Sequence, residues 1–160
     1  MNHEIYADHA ATAPIEPLAL EAMYTAYQEY ANPAALYRSA LHTKQTVEKA
    51  RLTVAENLGC APDHIFFTSG GTEADNWAIL SAAERLGKRG RHIITTAVEH
   101  HAVLHPMQKL EAKGFEVTYL QPDHDGNITV EELKKALRPD TILVSVMMVN
   151  NDCLLYTSPS

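Results

Sequence analysis

The stretch Ile65-Phe66-Phe67-Thr68-Ser69-Gly70-Gly71-Thr72-Glu73-Ala74-Asp75-Asn76 passes from an apolar, β-favouring run through two glycines into a helical pattern. That pattern opens on Thr72 and continues through Trp77, Ile79, Leu80, Ala83 and Leu86. A strand, a glycine turn and a helix N-terminus in this order suit an anion. The first helical amides have no intrahelical partner, and the helix dipole places partial positive charge on them. Glycines let the backbone approach closely, and a threonine hydroxyl adds a donor. Gly71 and Thr72 are therefore expected to cradle a phosphate. The plainer reading is an ordinary β–α connection with Thr72 as helix cap.

Downstream of this stretch the pattern is regular. Strands are predicted at 92–96, 115–120 and 141–149, and helices at 102–113 and 130–137, with Gly114 closing the first helix and a turn at 122–126. Upstream, an extended start leads to a helix at 16–30 with Pro17 in its first turn, broken by Asn32-Pro33. A second helix, capped by Thr43, ends at Gly59, and Pro62-Asp63 turns the chain into a strand at 65–68. Strands alternating with helices of this length call for an α/β fold of three layers, α-β-α, around a mostly parallel sheet covered on both faces. Ligands in such sheets sit beyond the carboxyl ends of the strands. The loops to watch are thus 70–72, 97–101, 120–122 and the stretch after Val149.

Composition narrows the function. The chain has 160 residues, 46% hydrophobic and 21% charged, which are ordinary globular values. A net charge of −7 argues against nucleic acid, whose phosphates would be repelled. No apolar run is long enough for a bilayer, and the N-terminus lacks a signal-peptide layout. Cys60 and Cys153 stand far apart, outside any C-x-x-C spacing. A soluble cytoplasmic protein without membrane or DNA partners is the expectation.

Three of the nine histidines lie in Glu99-His100-His101-Ala102-Val103-Leu104-His105. His101 and His105 share a helix face, but Ala102 replaces the glutamate of a hydrolytic zinc helix and no third ligand is evident. No metal site is expected. His100 stands nearer the strand end, in the layer of Gly71-Thr72, where an imidazole could lie against a ring or exchange protons near neutral pH. Asp123-His124-Asp125-Gly126-Asn127 has its glycine too early for an EF-hand and reads as a solvated turn. Asn150-Asn151 follow the last strand, where an amide could form a turn or face a ligand.

These motifs together resemble the cysteine desulfurases, within the class V aminotransferase family of fold-type-I pyridoxal-phosphate enzymes. The resemblance runs from about residue 5 to 152. It rests on Tyr6-Ala7-Asp8-His9-Ala10-Ala11-Thr12, Asn32-Pro33, the glycine stretch from Thr68 to Asn76, Glu99-His100-His101-Ala102-Val103-Leu104, Gly114-Phe115-Glu116-Val117 and Val149-Asn150-Asn151. It implies pyridoxal 5′-phosphate as cofactor, with Gly71 and Thr72 on its phosphate, His100 stacked on its ring with a part in proton transfer, and Asn151 on the ring's 3-hydroxyl oxygen. The implied reaction takes sulfur from L-cysteine, leaving alanine and an enzyme-bound persulfide for iron–sulfur cluster or thio-cofactor assembly. A homodimer and a sulfur-acceptor or scaffold protein are the implied partners.

The family's Schiff-base lysine and nucleophilic cysteine lie beyond the last residue, and none of the lysines present matches the required motif. Ala34-Ala35-Leu36-Tyr37 replaces a serine-rich stretch that ends in histidine. The expected organisation is an extended arm at 1–15, an incomplete large domain of the pyridoxal-phosphate transferase fold at 16–152, and a foreign or disordered tail at 153–160. No turnover is expected of the chain alone. Selenocysteine lyase or another class V lyase or aminotransferase would share the same motifs. A non-catalytic α/β module for a phosphate or nucleotide is the reading of another class, although the glycine loop matches neither common nucleotide motif.

Overall fold

A computed structural model describes residues 5–9 and 11–150. The chain falls into two units, residues 12–67 and the remainder.

In the first unit α1 (Pro17–Tyr27) starts on Glu16, whose carboxylate accepts from the N–H groups of Leu18 and Ala19 at 2.7 and 3.2 Å. Pro17 takes the first helical position, where its missing donor is harmless. The helix stops at Tyr27, before the predicted end at 30 and well ahead of Asn32-Pro33. The longer α2 (Arg38–Leu58) begins at Tyr37, not at Thr43. Thr43 lies inside this helix, its hydroxyl donating to the Ser39 carbonyl at 3.2 Å. A threonine in helical register can back-bond to its own preceding turn as readily as it can cap one, so its presence alone does not mark a start. Gly59 ends α2 at φ +66°, the left-handed angle that glycine tolerates. A 3-10 turn at Pro62–His64 follows.

The predicted strand at 65–68 does not form. Its apolar residues specify burial, but a strand also needs a neighbour to bond with. Among the described residues the one sheet contains three other strands, and Phe66 and Phe67 are 66% and 52% exposed. Arg51 instead donates to the Ile65 carbonyl, and its guanidinium lies over the Phe67 ring.

The second unit carries the sheet. Its order of elements is α3 (Gly71–Leu86), β1 (His92–Thr96), α4 (His101–Glu111), β2 (Glu116–Leu120), α5 (Val130–Ala136) and β3 (Thr141–Val144). All three strands are parallel, in the order β2-β1-β3. The chain therefore steps outward from β1 to β2 and returns across β1 to β3. Right-handed crossovers then put α4 and α5 on opposite faces, the three-layer arrangement expected. Ile93 pairs with Val117 and Leu143 and, with Ile79 and Ala83 of α3 and Met107 of α4, centres the core. His92 pairs with Thr141 and Ile93 with Leu143, leaving Ile142 as the extra residue of a bulge. That slip lets both Ile142 and Leu143 pack on the core cluster.

β3 ends at Val144, five residues short of the predicted run. The ladder closes with Ser145 N–H on the Ile94 carbonyl at 2.9 Å. β1 then turns away, and the next inward donor, Met147 N–H, is taken by a side chain, Glu99. α5 carries a full capping box between Thr129 and Glu132.

Candidate functional site

Two helix N-termini meet beside the carboxyl ends of the strands. α3 begins after Gly70, which offers no side chain to cap it, and the Thr72 hydroxyl has no hydrogen bond among the described residues. A Cβ added at Gly70 or Gly71 would meet nothing within 4 Å. The first amides of α3 thus face open space. Gly70 itself is in extended backbone at φ 163°. Beneath it Thr68 Oγ1 donates to the Gly70 carbonyl at 3.1 Å. The acidic residue of this first turn, Glu73, is occupied: Ser69 Oγ and Ser69 N–H both donate to its carboxylate at 2.7 Å. Those two bonds hold its carboxyl below the usual range and engage its charge on the Ser69 side.

α4 starts at the same level. Asn76 Nδ2 donates to the Thr72 carbonyl at 2.9 Å and to the Ala102 carbonyl at 3.0 Å, linking the two opening turns. His100 is the N-cap of α4. Its Nδ1 accepts from Ala102 N–H at 3.0 Å, so the neutral ring carries its proton on Nε2 and presents a donor there. The ring is exposed and lies edge-on to His101, 6.2 Å between centroids. His101 and His105 lie on the exposed side of α4, 5.4 Å apart. Among the described residues no group of three or more His, Cys, Asp or Glu side chains is arranged to hold a metal ion.

The exits of β1 and β3 close the far side. Glu99, only 7% exposed, accepts from Thr96 Oγ1 at 3.1 Å and from Met147 N–H at 2.7 Å. Burial pushes its carboxyl upward, the two donors oppose that, and the Asp75 charge adds to the rise. Asn150 is buried and donates to the Val98 carbonyl at 2.6 Å. Asn151 and Cys153 lie outside the described residues. A concavity of about 680 Å3 lies elsewhere, in the 12–67 unit, lined by Glu29, Arg38 and His42. It is distant in chemistry from the strand-end loops, holding a Glu29–His42 pair at 2.9 Å instead of uncapped amides.

The structure therefore places Thr72 and His100 on two helix starts joined by Asn76. Glu99 and Asn76 were not foreseen as site-forming residues. The sequence does contain a signal for Asn76: Pro106 within a helical run leaves the Ala102 carbonyl without its usual donor. In the 123–127 turn, the Asp123 carboxylate accepts from Asp125 and Asn127 N–H at 2.9 and 2.8 Å, the self-contained turn expected. Cys60 is a free, half-buried thiol just after α2.

A dianionic phosphate fits the start of α3. It offers free amides, an unpartnered hydroxyl and glycines with room above them, and the first-turn carboxylate is already engaged.

Comparison with known proteins bears on this site. The aminotransferase class-V family profile matches residues 5–153. A cysteine desulfurase IscS of Clostridium botulinum is 48% identical over 153 residues, covering 95% of this chain and 38% of that protein. A putative cysteine desulfurase IscS 1 of Bacillus subtilis is 47% identical over 92% of this chain and 39% of its own length. Among solved structures, a NifS-like protein superposes with a TM-score of 0.88 at 43% identity, over 93% of this chain and 41% of that one. SspA in complex with cysteine gives 0.83 at 38% identity, over 91% and 42%. The chain spans about two fifths of the length of the relatives it matches.

Proposed function

This chain belongs to the aminotransferase class-V family, and from that premise we propose that it forms the phosphate-binding part of a pyridoxal 5′-phosphate site in a cysteine desulfurase. The observation that carries the proposal is the uncapped start of α3, tied by Asn76 to the helix that His100 begins. Gly71 and Thr72 N–H groups and the Thr72 hydroxyl would bind the phosphate, where the helix dipole favours negative charge. His100, fixed through Nδ1, would lie against the ring and offer its Nε2 proton at the reacting side. Asn151 would donate to the ring's 3-hydroxyl oxygen. When bound, the cofactor supplies an electron sink for carbanion chemistry, while these residues set its plane and orientation.

The substrate in this reading is L-cysteine, with alanine as product and sulfur passed to an acceptor or scaffold protein. It is supported by desulfurase relatives at 45–48% identity and by a structural neighbour in complex with cysteine. The whole enzyme would be a cytoplasmic homodimer, and attachment of the cofactor through a lysine and attack by a cysteine would need residues outside these 160. Among the described residues no helix is long and apolar enough to cross a membrane.

Titration of the 160-residue chain with pyridoxal 5′-phosphate, followed by cofactor absorbance, tests this. Binding should be reversible, competed by inorganic phosphate, and weakened roughly tenfold by Thr72→Val, the expected effect of losing one hydrogen bond to a charged group. L-cysteine should yield no alanine. Binding unaffected by phosphate and by T72V would overturn the assignment, and competition by NAD or ATP would favour a nucleotide module.

A further inference from the structure

Glu99 stands between the end of β1 and His100, and its buried carboxyl does more than fill space. The same oxygen, Oε1, accepts from Thr96 on β1 and from Met147 beyond β3, 48 residues later. Asn150 Nδ2 adds a second tie by donating to the Val98 carbonyl. Two bonds, both donated from the 147–150 segment, thus join the turn that leads into His100 to the segment that leads into Asn151. Burying a carboxyl is costly unless its oxygens are bonded, and here one oxygen receives two donors. A carboxyl oxygen can take both donors at once, holding two strand exits on one atom.

We propose that Glu99 is a positioning residue for the cofactor site, fixing the His100 turn against the 147–150 segment so that both address one bound ring. It rests on the functional reading above, since the ring is the cofactor proposed there. Glu99 touches no ligand in this role. It acts through His100, its neighbour in sequence, and through the backbone at Met147. The geometry asks for an acceptor at Oε1, which a glutamine amide oxygen also supplies.

The test uses the 160-residue chain and its Glu99→Ala and Glu99→Gln variants, with two readouts: pyridoxal 5′-phosphate affinity with the circular dichroism of the bound cofactor, and hydrogen exchange at the Met147 amide. E99A should weaken binding up to roughly tenfold, the scale of one ordinary hydrogen bond, change the cofactor dichroism and speed Met147 exchange while the amides of β1 stay protected. E99Q should restore all three. If E99A loses the far-UV signal of the native chain, Thr96→Val releases Glu99 from β1 alone and should weaken binding in the same direction. Native binding with E99A or T96V indistinguishable from it would overturn the positioning role while leaving the functional reading intact. Failure of E99Q to rescue would also overturn it, because charge and not acceptor geometry would then matter. Absence of cofactor binding by the native chain would sink both readings together.

Discussion

The Asn76 side chain and the Ala102 carbonyl meet at 3.0 Å across 26 residues of sequence, and Pro106 is the reason. A helical carbonyl normally receives the N–H four residues later, and at 106 there is none. Asn76 fills the gap, and its second amide hydrogen reaches the Thr72 carbonyl. A proline that would otherwise weaken α4 thereby becomes the point where α3 is fastened to it.

Replacing Asn76 by alanine should cost about 1–3 kcal/mol of stability, the penalty of stranding a partly buried carbonyl. In a Pro106→Ala background the helix regains its own donor, so the same change should cost clearly less. Urea denaturation of the four proteins measures the coupling. Equal costs in both backgrounds would disconnect Asn76 from Pro106.

His92 gives the chain a pH dependence of known sign. It is fully buried on β1, with Nδ1 2.8 Å from Thr141 Oγ1 and Nε2 2.8 Å from Thr118 Oγ1. Thr141 Oγ1 also accepts from Arg138 N–H at 2.8 Å, so each ring nitrogen of the neutral imidazole has a hydroxyl partner. Burial first, then the Arg138 charge, lowers its pKa from the ordinary 6.5. A lowered folded value means the unfolded chain binds more protons, so stability is full above 6.5 and is lost as pH falls through the folded value. His92→Leu should flatten that slope in denaturation midpoints taken downward from neutral pH. Glu99 acts in the opposite sense at lower pH. Its raised value makes its contribution full below 4.5 and lost as pH rises through the folded value.

Two glycines separate packing from ligand approach. A Cβ at Gly90 would sit 2.7 Å from the Asp140 carbonyl carbon, backbone that cannot swing aside, whereas one at Gly71 meets open space. Gly90→Ala should destabilise by about 1–3 kcal/mol, the usual range for overpacking. Gly71→Ala should leave thermal stability unchanged and weaken phosphate and pyridoxal 5′-phosphate binding. Destabilisation by G71A would show that the α3 start is packed against protein and not open to a ligand.

Much of the α/β pattern was legible because it is local. β1 was read to the residue, its β-branched run Ile93-Ile94-Thr95-Thr96 lying between the Gly87–Gly90 turn and the 97–101 loop. α3 was legible because a glycine pair marks its start and its apolar spacing holds for sixteen residues. Helix starts without such markers were less so: Tyr37 opens α2 with no side-chain cap, and nothing in the local sequence prefers it to Thr43.

The motif around Gly70-Gly71-Thr72 pointed to an anion from sequence, because helix polarity and glycine freedom are properties of the chain itself, and the proposed function builds on that reading. Whether residues 65–68 form a strand, where β3 stops, and what Glu99, Asn76 and His100 bond to were settled only in three dimensions. A strand exists through its partner, a buried carboxyl through its donors, and an orphaned carbonyl through whatever side chain the packing brings to it. Met147 lies 48 residues from Glu99 and Ala102 lies 26 from Asn76, separations that local pattern does not encode.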